Sequence, residues 1–157
     1  MSAVLDLSEY RLRPMQKRDL AQIYAIESRA YQYPWSAGIF RDCLRVGYSC
    51  WVYEAGDSIQ AYAIMSIAAA ECHVMNVTVN PEIHGQGVGR EVLRQLIIIA
   101  EDHGADTMLL EARPSNRAAL KLYRSEGFNE LGTRKAYYPA HAGREDAVIL
   151  ARALVAS

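Results

Sequence analysis

The segment NPEIHGQGVGR (Asn80–Arg90) runs straight into EVLRQLIIIAEDHG (Glu91–Gly104), and the reading of this stretch decides the fold. Upstream, ECHVMNVTV (Glu71–Val79) has the alternation of a strand. Downstream, Val88, Val92, Leu96 and Ala100 recur four apart, with Leu93 and Ile97 beside them, which predicts a helix that stops at Gly104. Between them, glycine stands at 85, 87 and 89. Such a strand, turn and helix bring several backbone N–H groups together at a helix N-terminus, whose positive partial charge and unpaired donors suit a pyrophosphate. The glycines remove side chains that would hold phosphates away. Spacing alone leaves a plain glycine-rich connector open as the alternative.

Two familiar phosphate cradles are excluded by the residues after the glycines. A Walker loop needs Lys then Ser or Thr, but Gly89 is followed by Arg90 and Glu91. The dinucleotide fingerprint GxGxxG needs glycine at 90 or 92, where Arg90 and Val92 stand.

Working outward, YRLRPM (Tyr10–Met15) predicts a short edge strand. KRDLAQIYAIESRAY predicts a helix with Leu20, Ile23, Tyr24, Ile26 and Ala30 at helical spacing. Pro34 breaks it, and Ser36 is placed to cap a second helix through about Val46. The aromatic and β-branched run from Tyr48 to Ala70 folds back at Gly56-Asp57 as a hairpin. After the glycine loop and its helix, DTMLLEAR (Asp106–Arg113) predicts a buried strand. PSNRAALKLYRSEG predicts a helix capped by Ser115 or Asn116 and ended by Gly127. The remainder predicts two strands around a loop of Pro139 to Gly143. The expected order is strand, two helices, three strands, helix, strand, helix, two strands: an α/β chain with a mixed sheet and a single domain over 1–157.

The chain has 157 residues, 51% of them hydrophobic and 22% charged, the balance of an ordinary globular protein. Its 17 basic and 18 acidic residues are mixed along the sequence and give a net charge of -1, so no basic stripe invites direct nucleic-acid binding. Cys43, Cys50 and Cys72 form no CxxC pair, which suggests neither a disulfide framework nor a metal site, and fits a reducing cytoplasm. Asp6 and Glu9 interrupt any signal-peptide core, and no run reaches the ~18 apolar residues of a membrane span.

The loop HGQGVGR, with its preceding strand and following helix, resembles the acetyl-CoA signature (Q/R)xxGx(G/A) of the GCN5-related N-acetyltransferase (GNAT) superfamily. His84 replaces the first Gln or Arg. YPWS, LLEARPSNRAALKLYRSEGF and YYPAHAGREDAVIL are similar, in order and spacing, to its RimI branch, the N-terminal alanine acetyltransferases of ribosomal proteins. The resemblance extends over nearly the whole chain from Leu12. It implies a V-shaped sheet that splays after the fourth strand, with acetyl-CoA as co-substrate and no metal. Its implied acceptor is a ribosomal protein N-terminus, that of protein eighteen of the small subunit. It also implies phosphate contacts from backbone amides of Gly85, Gln86, Gly87, Val88, Gly89 and Arg90.

Transfer of acetyl to an amine needs a neutral amine, a polarised carbonyl and a proton for the departing thiolate. Glu111, at the end of MLLE, is the candidate base, since an α-amine with pKa near ~7.7 is already partly neutral. Its alternative role is an ion pair with Arg113, two residues on and on the same strand face. The resemblance makes Glu111 catalytic, assigns Tyr123 to protonate the thiolate, and gives Asn116 a contact with the cofactor. Read by spacing alone, Tyr123 is a core aromatic and Asn116 an N-cap. A backbone N–H among Val77, Thr78 and Val79 is the expected carbonyl polariser. Tyr33, Trp35, Tyr137 and Tyr138 offer aromatic walls for an extended peptide, or cover the core. Cys72 has no motif-placed histidine partner, and His73, its neighbour, should face the opposite side, so direct attack in a ternary complex is expected.

Overall fold

Alternation, proline and glycine divide the chain into the expected order of elements. The structure, a computed structural model, describes residues 6–141 and 143–155. The strands are β1 (Tyr10–Pro14), β2 (Ser49–Ala55), β3 (Ser58–Ala68), β4 (Glu71–Val79), β5 (Thr107–Ala112), β6 (Asn129–Ala140) and β7 (Gly143–Ala153). The helices are α1 (Leu20–Ala30), α2 (Ala37–Arg45), α3 (Val88–Asp102) and α4 (Arg117–Ser125). One mixed sheet has the order β1-β2-β3-β4-β5-β7-β6, with β4 and β5 parallel and both β5 and β6 antiparallel to β7. The chain divides into two compact units, one holding the described residues to Ser66 with Asn76–Leu96, the other Ile67–Met75 with the residues from Ile97.

In the first unit, β3 is buried without interruption from Ala61 to Met65. That is the mark of a strand covered on both faces, and the only side-chain polar group in the run AYAIM, the Tyr62 hydroxyl, has an internal partner in Glu27. The helix expected from Lys17 begins at Leu20, after a single 3₁₀ turn at Lys17–Asp19. Ile23 and Ile26 are buried as expected, but Tyr24 is 40% exposed and Glu27 takes the inward place at 2%.

Edge strand β1 is tied down by a polar cluster. Arg13 donates two parallel bonds to Asp19, at 2.8 and 2.9 Å, and its Nε lies 2.9 Å from Glu54 Oε1. Both carboxylates are buried, Asp19 at 3% and Glu54 at 6% exposure. A planar guanidinium fork is the side chain able to satisfy two carboxylates at once.

In the second unit, β5 alternates strictly, with Met108, Leu110 and Ala112 inward. Its parallel ladder with β4 runs from Glu71↔Thr107 to Val74↔Leu110, and its antiparallel ladder with β7 from Thr107↔Ala153 to Ala112↔Val148. The loop expected over Pro139 to Gly143 is shorter than the sequence suggests, because Pro139 pairs with Arg144 and Ala140 with Gly143. Proline is tolerated there since β6 is the edge of the sheet. The turn between β3 and β4 is made by Ala69 and Ala70, both at positive φ (52° and 65°), where no glycine marks it.

Replacing Arg13 with Met leaves the buried Asp19 carboxylate without its bidentate cation and Glu54 with only the longer contact to Arg11, at 3.4 Å, and is expected to destabilise the protein by about 3 kcal/mol. Arg13 holds the Asp19 and Glu54 carboxyls below the usual carboxylate range. Their contribution is therefore present above the unfolded carboxylate pKa, about 4, and is lost as pH falls through the lowered folded values. Denaturant titrations at neutral and acidic pH should show the gap between wild type and Arg13→Met narrowing on acidification.

Candidate active site

The first unit carries the glycine loop. Asn80, 7% exposed, pins its entrance: its amide donates to Gln60 Oε1 at 2.9 Å, its backbone N–H donates to Gln60 O at 2.8 Å, and its Oδ1 accepts from the Glu82 N–H at 3.1 Å. His84, the departure from the signature, turns back so that Nε2 lies 2.8 Å from the carbonyl oxygen of Val79, tying the loop to the end of β4. Gly85 and Gly87 have φ of +78° and +86°, and nothing lies within 4 Å of where a Cβ would stand at either. The loop thus offers bare backbone on an open side, immediately before α3, whose first residue, Val88, is anchored at 1% exposure. Gly89 and Arg90 form its first turn. The Oε1 of Gln86 is buried without a hydrogen-bond partner among the described residues. An open glycine cradle, a helix N-terminus and an unpartnered amide oxygen fit a ligand that carries both anionic oxygens and N–H donors.

At the end of β4, Thr78 is 4% exposed, and its Oγ1 donates to Asn76 Oδ1 and meets the Tyr31 hydroxyl, both at 2.7 Å. The Tyr31 hydroxyl also lies 3.5 Å from Val77 O. These bonds fix the strand that carries Val77, Thr78 and Val79.

Glu27 organises the Tyr33-Pro34-Trp35 turn, a role helical spacing gave no reason to expect. Its carboxylate accepts from the Tyr62 hydroxyl at 2.6 Å, the Trp35 backbone N–H at 2.9 Å and the Asn76 amide at 3.3 Å. Burial, then the Glu27 charge, raises the Tyr62 hydroxyl well above its ordinary pKa, so it stays a donor. The Trp35 ring packs on Phe40 (5.3 Å between centroids) and Phe40 on Tyr62 (5.7 Å), so one side of the half-buried Trp35 rests on the core. Tyr33 is 40% exposed.

The second unit carries the candidate base. Glu111 lies on the β5 face opposite Met108 and Leu110, with its side chain 11% exposed. Its partner is His73 of β4, whose Nε2 is 2.7 Å from Glu111 Oε2; the alternative ion pair with Arg113 does not form. Arg113 instead donates to Pro139 O at 2.7 Å, lies 3.5 Å from Glu145 Oε1, and stacks 4.5 Å over the Tyr138 ring. Cys72 is fully buried, as the alternation with His73 requires, and burial pushes its thiol up to about 11, far from a thiolate at neutral pH.

Asn116 is the N-cap of α4, its Oδ1 accepting from the Ala119 N–H at 3.2 Å. Its amide N–H groups are the donors that this leaves for other use. Tyr123, on the inner face of the same helix, is 9% exposed and its ring lies 6.0 Å from Phe128. Tyr137 and Tyr138 pack edge to face at 4.8 Å in an irregularity of β6 between Arg134 and Tyr138. Ala136 takes φ +52° there; its N–H donates to Asp146 Oδ1 at 2.9 Å, and Arg144 donates to the carbonyls of Ala136 and Tyr137 at 2.8 and 3.2 Å. Arg144 therefore shapes the aromatic loop, a role sequence spacing left unassigned.

Residues 18–128 match the Acetyltransferase (GNAT) family. The [ribosomal protein bS18]-alanine N-acetyltransferase of Escherichia coli is 39% identical over 137 residues, which span 87% of this chain and 93% of that protein. The protein of the same description from Haemophilus ducreyi is 38% identical over 136 residues, 86% and 94% of the two chains. The crystal structure of the E. coli enzyme matches this fold with a TM-score of 0.87 at 36% identity, across 94% of this chain and 96% of that one. The chain belongs to the GNAT family of N-acetyltransferases.

Replacing Glu27 with Ala leaves the Tyr62 hydroxyl and the Trp35 N–H without their acceptor, and is expected to cost about 3 kcal/mol, two buried donors losing their partner together. Thermal unfolding would measure the loss, and the tryptophan emission of the native variant should shift to the red as the Trp35 turn loosens. Unchanged stability and emission would show that Glu27 does not anchor the turn.

Proposed function

We propose that this enzyme transfers the acetyl group of acetyl-CoA to the α-amine of the N-terminal alanine of ribosomal protein bS18. The observation that supports it most is the identity of 39% over almost the full length of a relative whose described reaction is this one. The acceptor, a ribosomal protein, puts the reaction in the cytoplasm, and one acetyltransferase domain suffices for it.

Acetyl-CoA supplies an activated thioester. The backbone N–H groups of Gly85, Gln86, Gly87, Val88, Gly89 and Arg90 take the phosphates, since the glycines at positive φ present backbone without side chains. Asn116 donates its amide to the cofactor while its oxygen keeps the cap. A backbone N–H of Val77, Thr78 or Val79 polarises the carbonyl. Tyr33, Trp35, Tyr137 and Tyr138 receive the first side chains of the peptide. Glu111 takes the proton from the attacking amine, and Tyr123 gives its hydroxyl proton to the departing thiolate. Cys72, buried and held as a thiol, takes no part, so the amine attacks directly.

With a peptide beginning with the bS18 alanine sequence, Glu111→Gln should lower kcat by about 100-fold or more while leaving acetyl-CoA affinity nearly unchanged. Gly87→Val should do the reverse, weakening acetyl-CoA binding by about tenfold or more, because it strains a φ of +86° and fills the open side of the loop. Full turnover by Glu111→Gln would remove it as the base. Wild-type affinity in Gly87→Val would remove the loop as the phosphate site.

A further inference from the structure

The parallel register of β4 and β5 sets His73 opposite Leu109, and Glu111 lies two residues further along the same face of β5. The contact this creates is short and direct, 2.7 Å from Nε2 to Oε2. Its two halves differ in surroundings: the Glu111 side chain is 11% exposed, whereas the imidazole is 40% exposed. A carboxylate accepts only, so the nitrogen that faces it carries hydrogen in both charge states of the ring. The nitrogen that titrates is therefore Nδ1.

We propose that His73 is the positioning residue of the catalytic base, and that its charge switches the base on and off. This inference rests on Glu111 being the base. In the neutral state, the Nε2–H bond holds Oε2 and leaves Oε1 to the substrate. The amine nitrogen bonds to the thioester carbonyl carbon, the C–S bond breaks, Oε1 takes the proton released by the amine, and the thiolate takes the hydroxyl proton of Tyr123. In the imidazolium state, a full positive charge already sits on the carboxylate, competes with the amine's proton for it, and repels a substrate that still carries its ammonium.

The hydrogen bond to Glu111 raises the His73 pKa above its ordinary 6.5, against the opposing effect of burial. Two further charges act on the ring more weakly, Arg134 of β6 lowering the value and Glu71 of β4 raising it. The switch therefore operates at and above pH ~6.5, in the range where an α-amine titrates at ~7.7. Two groups, the amine and His73, then both have to lose a proton before attack.

The test is the pH dependence of kcat/KM with the alanine-starting peptide. Below the acid limb, log kcat/KM in wild type should rise with a slope approaching two, one proton each for amine and imidazole. His73→Gln keeps an N–H donor toward Glu111 but cannot titrate, so its slope should fall to one, and it should retain a larger share of its alkaline activity at acid pH. His73→Ala loses the donor as well and should lower kcat at every pH. Independently of activity, the His73 ring should titrate above 6.5 by NMR in wild type and at a lower pH in Glu111→Gln. A slope of one in wild type, or an identical profile in His73→Gln, would overturn the proposal, as would a uniform loss of rate in both His73 variants. Should Glu111→Gln keep full activity, the assignment of the base itself fails. An inactive Glu111→Gln beside an unaltered His73→Gln profile would leave the base standing and remove only the switch.

Discussion

Strand β5 has to satisfy two neighbours of opposite direction at once, β4 in parallel and β7 in antiparallel. Because side chains alternate along a strand, this double pairing commits Met108, Leu110 and Ala112 to the apolar interior and Glu111 to the other face. A slip of one residue would turn the Glu111 carboxylate into the apolar interior and Leu110 out of it, so the register that builds the core also aims the candidate base. The same alternation in β4 buries Cys72 and turns His73 toward Glu111, which encloses the thiol and sets an imidazole against the carboxylate.

Around that framework, charged groups, some buried and some at the surface, act as anchors for chain segments that hydrophobic contact alone would leave loose. Glu27 gathers a hydroxyl, a backbone N–H and a side-chain amide, and so fixes the Trp35 turn from beneath. Arg13 joins the edge strand to the start of α1 and to β2. Arg144 and Asp146 hold the irregularity that carries Tyr137. Glu27, Asp19 and Glu54, the buried carboxylates among them, are satisfied by hydrogen bonds, the condition under which a buried polar group stabilises one arrangement over others.

The order of strands and helices was legible in the sequence because it rests on local signals: the glycine loop before a four-apart apolar repeat, Ser36 and Asn116 as caps, Gly56-Asp57 in the hairpin. The glycine loop was legible as a turn of bare backbone before a helix for the same reason. What escaped is either non-local or unmarked. His73 and Glu111 lie 38 positions apart and meet only through the parallel ladder, so no spacing rule pairs them, while Arg113, adjacent on the strand face, offered a false partner. Glu27 was hidden because helical periodicity reads apolar residues and so selects Tyr24 for the core. The turn at Ala69-Ala70 and the irregularity at Ala136 use alanine at positive φ, so neither announces itself by composition. Pro139 suggested a longer loop than the edge strand needs.

The central claim is that this enzyme modifies one α-amine. The most direct measurement is to incubate the purified protein with acetyl-CoA and intact, unacetylated bS18, digest the product, and map the acetyl group by mass spectrometry. The account predicts acetylation on the N-terminal alanine alone. Acetyl on internal lysines, or an unmodified N-terminus despite CoA release, would contradict it.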